Sequence, residues 1–169
     1  MSARLVAVVG PTAAGKSALA LRLAHEFQGE IISADSRQVY RYMDIGTAKP
    51  TEAEQALVRH HLIDLLDPDQ PFSLAEYQAL AFQAIEDTQR RGYLPLLVGG
   101  TGQYVWSVLE NWAVPRVAPD PELRRELEVR AEQDGTVALY EELKRLNPEA
   151  AARIDPRNTR RLIRALEIS

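Results

Sequence analysis

The chain has 169 residues and no cysteine, which excludes disulfide bonds, thiolate metal sites and a cysteine nucleophile. It also lacks an apolar run close to the roughly 20 residues that a membrane-spanning helix needs. The formal net charge of −4 does not by itself predict a nucleic-acid partner. A hydrophobic content of 46% allows one substantial core with a smaller appendage. From these absences we expect a cytoplasmic protein with no membrane anchor.

What the chain does contain is a glycine-rich loop that follows an apolar run. The letters GPTAAGKS fit G-x-x-x-x-G-K-[ST], a pattern whose backbone N–H groups surround phosphate oxygens. Residues 5–9 predict a strand buried on both faces of a parallel sheet, and 17–24 predict a helix whose N-terminus attracts anions. The residues predicted to bind phosphate or diphosphate are Gly10, Pro11, Thr12, Ala13, Ala14, Gly15, Lys16 and Ser17. Lys16 supplies a positive charge, and Ser17 is the expected Mg²⁺ ligand.

Strand and helix patterns alternate through the first two thirds of the chain. Further strands are predicted at 30–33, 61–64 and 94–98, and a long helix at 74–91. The alternation predicts an α/β domain over residues 1–114, a P-loop-type parallel sheet with helices on both faces. No strand is predicted after residue 114. We therefore expect residues 115–169 to form a partial, all-helical subdomain.

Two polar residues follow predicted strands at the carboxyl edge of the sheet, where open α/β sheets bind ligands. Asp35 follows the second strand and Thr101 the fourth. Spacing alone is equally consistent with Asp35 or Ser36 capping a short helix, and it slightly favours Thr101 as a turn residue between glycines. The fourth strand is not followed by an acid, which disfavours a motor-type ATPase. Asp64, after the third strand, is more typical of a solvated or capping residue.

The last predicted helix, 158–169, concentrates positive charge on an acidic chain. At about 100° per residue, four arginines fall within one arc of about 100°. These are Arg157, Arg160, Arg161 and Arg164, with Leu162, Ile163 and Leu166 on the opposite side. A solvated helix face is the ordinary explanation for such a stripe. The clustering nevertheless favours contact with a phosphate backbone.

Six motifs occur together in a characteristic order. They are GPTAAGKS (10–17), DSRQVY (35–40), GTAKP (46–50), HHLID (60–64), GGTGQY (99–104) and NTRRLIRALE (158–167). Over nearly the whole chain they resemble the tRNA dimethylallyltransferases, or tRNA isopentenyltransferases, which modify the adenosine 3′ of the anticodon. The phosphate loop is shared with many kinases, but DSRQVY combined with GTAKP and GGTGQY is highly specific.

The resemblance implies transfer of a dimethylallyl group from dimethylallyl diphosphate to the exocyclic amine of that adenosine. The loop 10–17 would then bind the diphosphate, with Mg²⁺, and Lys16 would take part in catalysis. Asp35 would be the general base on the amine, and Thr101 would help hold the amine and the base. The implied tRNA-contacting residues are Asp35, Ser36, Arg37, Gln38, Thr101, Arg160, Arg161, Leu162, Ile163 and Arg164. The resemblance gives no role to 46–50 or 60–64.

Members of this family run far beyond 169 residues, so the resemblance predicts a truncated chain with an incomplete sheet and subdomain. We expect a monomer. Three other functions remain open: a small-molecule phosphotransferase that binds ATP, an adenylate isopentenyltransferase that uses a free nucleotide, and a truncated protein that binds diphosphate or RNA without turnover. The GGTGQY motif and the arginine-bearing helix favour the tRNA enzyme over the first two.

Overall fold

The computed structural model describes residues 4–115 and 117–169. Residues 1–3 and Arg116, which fall within the two predicted domains, lie outside the described residues. The chain divides into two compact units, one ending at Val114 and the other running from Pro115 to Ser169. The division falls where the sequence changes from alternating strands and helices to helices alone.

The first unit is built on a parallel sheet. Its strands within the described residues are β1 (Val6–Val9), β2 (Gly29–Ser33), β3 (His60–His61) and β4 (Leu94–Gly99). Its α-helices in the same part of the chain are α1 (Lys16–Glu26), α2 (Glu52–Leu57), α3 (Leu74–Arg90) and α4 (Gly102–Leu109), with a short 3₁₀ turn at Ile45–Thr47. The strand order is β1-β4-β2-β3, and every pair is parallel.

Helices cover both faces of this sheet because successive strand side chains point in opposite directions. Ile31 and Leu96 pack with Ala20 of α1 on one face. Ile32 and Leu97 point to the other face and belong to the cluster formed with α3 and α4. The predicted α/β architecture is therefore confirmed.

The prediction that the first strand is buried on both faces is wrong. β1 stands at the edge of the sheet and pairs with β4. Val6 is 37% exposed and Val9 is 50% exposed, whereas Val8 packs into the core. An apolar run indicates a strand of a parallel sheet, but it does not reveal which strand ends the sheet.

The third strand is shorter than the predicted 61–64. Leu62 and Asp64 have φ angles of 62° and 53°, in the left-handed region, so the extended conformation ends after His61. The N–H of Asp64 then donates to the carbonyl of Gln38 at 3.1 Å. The chain after β3 is thereby joined to the segment that follows β2.

The second unit is helical throughout its described residues. It comprises α5 (Pro121–Asp134), α6 (Thr136–Leu146), α7 (Pro148–Ala151) and α8 (Thr159–Ile168). The side chains of Asp120, Asn147 and Asn158 accept hydrogen bonds from the first-turn N–H groups of α5, α7 and α8. Across residues 4–115 and 117–169, none of the helices has the length and apolar character needed to cross a bilayer.

Candidate active site

The phosphate loop joins β1 to α1 and is shaped by its second glycine. Gly15 has a φ of 75° and stands immediately before the helix, while a Cβ there would meet nothing within 4 Å. Backbone conformation, and not space, is therefore what favours glycine at this position. Lys16 is the first residue of α1, and its Nζ donates to the carbonyl of Pro11 at 2.6 Å. The loop thus presents an ammonium group and the positive end of a helix to an anion.

Asp35 and Thr101 come together at the carboxyl edge because β2 and β4 are neighbours in the sheet. The N–H of Ser36 donates to Thr101 Oγ1 at 3.0 Å, and the N–H of Thr101 donates to the carbonyl of Ala34 at 3.1 Å. Asp35 Oδ1 accepts from the N–H of Arg37 at 2.8 Å, which forms a turn in place of a capped helix. Asp35 Oδ2 makes no hydrogen bond to the described residues, so it is available to a ligand.

One cavity of about 550 Å³ brings the phosphate loop and Asp35 together. Its lining includes residues 12–18, residues 47–50, Asp35 and Gln38. The end of β4 approaches closely, since a Cβ on Gly100 would lie 3.2 Å from the carbonyl oxygen of Gly10. The cavity can therefore hold a ligand that touches both the anion-binding loop and a carboxylate.

Gln38, predicted to contact tRNA, has its amide occupied within the protein. Its Nε2 donates to the carbonyls of Thr47 at 3.1 Å and Ala48 at 3.3 Å, which uses both amide hydrogens. Its Oε1 accepts from Ser33 Oγ at 3.0 Å. Gln38 thus connects the end of β2 to the residues 47–48 that line the cavity.

Lys49 is the main site residue that sequence reasoning missed. Its side chain is 3% exposed, and its Nζ donates to Asp64 at 2.5 Å, Asp44 at 2.7 Å and the carbonyl of Tyr40 at 2.8 Å. Burial acts to lower the pKa of Lys49, but the hydrogen bonds to Asp44 and Asp64 outweigh it and raise the pKa. The motifs GTAKP and HHLID, which had no predicted role, therefore meet here. Residue periodicity gives no signal for a contact between segments this far apart.

The predicted tRNA-contacting stripe is only partly available to solvent. Leu162 and Ile163 are 0% and 5% exposed and pack in the core of the helical unit, so their side chains are not free to touch RNA. The Arg164 guanidinium donates to Glu167 and, at 3.0 Å, to the carbonyl of Val117. Arg160 and Arg161 are exposed, and neither guanidinium has an ion pair within the described residues.

Residues 38–169 match a family model described as IPP transferase. The chain belongs to this family. Among the curated relatives of this chain is the tRNA dimethylallyltransferase of Roseiflexus castenholzii, 64% identical over 164 residues. That alignment covers 97% of this chain and 54% of the relative. The tRNA dimethylallyltransferase of Chloroflexus aggregans is 61% identical, and the alignment covers 97% of this chain and 55% of that relative.

Solved structures of the IPP transferase family agree with this fold. The tRNA isopentenylpyrophosphate transferase of Bacillus halodurans is 50% identical with a TM-score of 0.66, covering 99% of this chain and 55% of that one. A eukaryotic dimethylallyltransferase acting on tRNA is 34% identical with a TM-score of 0.80, and the match covers 98% of this chain and 41% of that one. The chain therefore spans about half the length of the curated relatives it matches.

Proposed function

We propose that this chain acts in tRNA dimethylallyl transfer, moving the prenyl group of dimethylallyl diphosphate to the exocyclic amine of the adenosine 3′ of the anticodon. The observation that carries the proposal is the cavity shared by the phosphate loop and Asp35. A diphosphate ester held by the loop would direct its reacting carbon toward a carboxylate. The names of the relatives and the tRNA-acting structural neighbour support the same reaction class.

Asp35 fits the role of the general base. An exocyclic adenine amine is a weak nucleophile because its lone pair is delocalised into the ring, and it becomes acidic as the new C–N bond forms. A carboxylate oxygen within reach can accept that proton at this stage. Asp35 Oδ1 is fixed by the N–H of Arg37, which leaves Oδ2 for the amine. The proton passes to Asp35 as the C–O bond to diphosphate breaks.

The phosphate loop fits the role of stabilising the leaving group. The electron pair of the breaking C–O bond remains on the diphosphate, so negative charge grows next to Lys16. One Nζ hydrogen of Lys16 is held by the carbonyl of Pro11, which leaves two for diphosphate oxygens. Loop N–H groups at the start of α1 add preorganised donors.

The residues at the loop fit Mg²⁺ when the diphosphate supplies most of its ligands. Ser17 lines the cavity and offers one hydroxyl oxygen. In the described part of the chain, no group of three or more His, Asp or Glu is placed to hold a metal. Mg²⁺ characteristically keeps few protein ligands and binds substrate phosphates. A bound Mg²⁺ would neutralise charge on the diphosphate.

Thr101 and Ser36 fit a role in holding the target base. The Thr101 hydroxyl is fixed next to Ser36 at the sheet edge, beside Asp35. The adenine must leave the stack of the anticodon loop to reach this edge, as enzymes that act on bases require. Every residue of this proposed centre comes from the first unit of one chain. We therefore also propose a monomer that works in the cytoplasm.

An assay with the purified chain tests the proposal. The chain is given dimethylallyl diphosphate with either unmodified tRNA or AMP and, in separate reactions, ATP with small-molecule acceptors. We expect prenylated adenosine in tRNA alone, measured by mass spectrometry of nucleosides. Phosphate transfer from ATP, prenylated AMP, or no prenylated adenosine at all would contradict the proposal.

Lys16→Ala should weaken pyrophosphate binding by about tenfold or more in calorimetry, because a charge-assisted hydrogen bond is lost.

Arg160 and Arg161 test the RNA side of the proposal. Replacing both with alanine should weaken tRNA binding and reduce the slope of log affinity against log salt by about two, since about one counterion release is lost per arginine. Arg145→Ala with Arg153→Ala removes the same charge from two other exposed positions and serves as the control. An equal change of slope in the control would mean that net charge alone, and not this surface, matters.

A further inference from the structure

We propose that Lys49 is a positioning residue, which fixes residues 47–50 as one part of the cavity wall. We also propose that this wall makes the site prefer a prenyl diphosphate over free diphosphate. The inference rests on the proposed function and adds a determinant of donor specificity. The wall consists of Thr47, Ala48, Lys49 and Pro50, all of which line the cavity.

The Lys49 ammonium is saturated by the protein and is therefore not itself a phosphate ligand. An ammonium has three N–H donors, and here three acceptors lie between 2.5 and 2.8 Å: one oxygen each of Asp64 and Asp44, and the carbonyl of Tyr40. These partners come from three separate stretches, the segment after β2, the turn before the wall and the loop after β3. Lys49 thus ties the wall to the framework of the sheet edge.

The backbone around Lys49 needs such an anchor. Tyr42, Ala48 and Asp64 have φ angles of 65°, 47° and 53°. Left-handed backbone is unfavourable for residues with a side chain, so it persists only where surrounding contacts fix it. Gln38 holds Thr47 and Ala48, and Gln55 Nε2 donates to the carbonyl of Pro50 at 2.9 Å. With the ammonium gone, the wall keeps these bonds but loses the three that fix Lys49 itself, so its middle can relax away from the cavity.

The wall forms part of the apolar lining that suits the prenyl chain. Leu21, Ile31 and Val98 contribute apolar side chains to the cavity, and Ala48 and Pro50 add apolar surface from the wall. In the proposed function the diphosphate contacts the loop at 12–17, not the wall. A displaced wall should therefore reduce contact with the prenyl group and leave the anion contacts in place.

Lys49→Met is the sharpest variant because it keeps the length of the side chain and removes the charge. Asp44 and Asp64 are 65% and 41% exposed at their side chains, so losing the ammonium leaves no buried, unpaired carboxylate. The matched control is Lys144→Met, at an exposed lysine of the helical unit. Asp64→Asn is a second, milder variant that weakens the same anchor.

Calorimetry with dimethylallyl diphosphate and with inorganic pyrophosphate separates the outcomes. Lys49→Met should bind the prenyl ester about tenfold more weakly, as expected from losing roughly two methylene-sized contacts, and should bind pyrophosphate as the parent does. Asp64→Asn should shift the ratio of the two affinities in the same direction by a smaller factor. The control should leave the ratio unchanged.

The inference is overturned if Lys49→Met and Asp64→Asn keep the parental ratio of the two affinities. This includes an equal loss of both affinities, since partial unfolding reduces all binding by the same competent fraction. A parent chain that binds dimethylallyl diphosphate no more tightly than pyrophosphate would also overturn the inference, whereas a parent chain that shows the preference but forms no prenylated tRNA would count against the proposed function.

Discussion

Asp35→Asn should slow prenyl transfer by about 100-fold or more, the size of a lost general base, while pyrophosphate affinity stays unchanged. Asparagine retains an oxygen that can accept from the N–H of Arg37, so the turn at the sheet edge is preserved. It cannot take the proton that the amine releases. Single-turnover transfer to tRNA, together with calorimetry on pyrophosphate, measures the two effects separately.

Asp69→Asn is the matched control for this prediction. Asp69 is exposed in the loop before α3 and does not line the cavity, so its charge can be removed without touching the site. The control should retain the parental rate of transfer. Parental activity in Asp35→Asn would remove Asp35 from the role of base. A joint loss of transfer and pyrophosphate binding would show that the loop itself had been disturbed.

The second large effect concerns a buried charge in β2. Glu30 is 4% exposed, and its carboxylate accepts two hydrogen bonds from the Arg91 guanidinium, with Arg91 Nη2 lying 2.6 Å from Glu30 Oε2. His61 Nε2 lies 2.6 Å from Glu30 Oε2, and the hydroxyl of Thr88 donates to the same oxygen at 3.2 Å. This cluster joins β2, β3 and the residues at the end of α3.

Glu30→Gln should reduce the free energy of unfolding of the first unit by about 3 kcal/mol at pH 7. The hydrogen bonds from Arg91 lower the pKa of Glu30 from 4.5 to about 2, against the opposing effect of burial. Glutamine has nearly the same volume as glutamate, but it lacks the negative charge that pairs with the Arg91 guanidinium. Urea unfolding followed by tryptophan fluorescence reports on this unit, because both tryptophans of the chain, Trp106 and Trp112, lie within it.

The stabilisation by Glu30 should depend on pH in a defined direction. Because the folded pKa lies below the unfolded value, the stabilisation is complete above pH 4.5 and is lost as the pH falls toward 2. The difference between the parent and Glu30→Gln should therefore shrink across this window. Glu86→Gln, at an exposed position of α3, should show no such difference at any pH. A constant difference between Glu30→Gln and the parent down to pH 2 would contradict the charge argument.

Local sequence signals were enough to predict the parts of the fold that depend on nearest neighbours. The apolar run followed by GPTAAGKS predicts a strand, a phosphate loop and a helix, and β1, the loop and α1 have this order. Position after a strand placed Asp35 and Thr101 at the same edge, because the carboxyl ends of parallel strands lie together. The hydrogen bond from Arg37 places Asp35 in a turn with no helix at residues 36–39, and its role as the base stays a prediction.

Contacts between distant segments are what the sequence could not reveal. The edge position of β1 depends on strand order, and the burial of Leu162 and Ile163 depends on packing among helices. Their place opposite the arginines indicates an apolar, covered face of α8, whereas the resemblance implied contact with tRNA. Which helices cover that face is decided only by packing.

By itself, the sequence determined the strand–loop–helix order around GPTAAGKS, the α/β alternation and the family, because these are carried by residues close together in the chain. Tertiary structure alone decided that Lys49 of one motif pairs with Asp64 of another, and that Glu30 is neutralised by Arg91. Ion pairs depend on the distance between charged groups in the folded protein. The fold brings together charged residues whose pairing is not indicated by their spacing in the sequence.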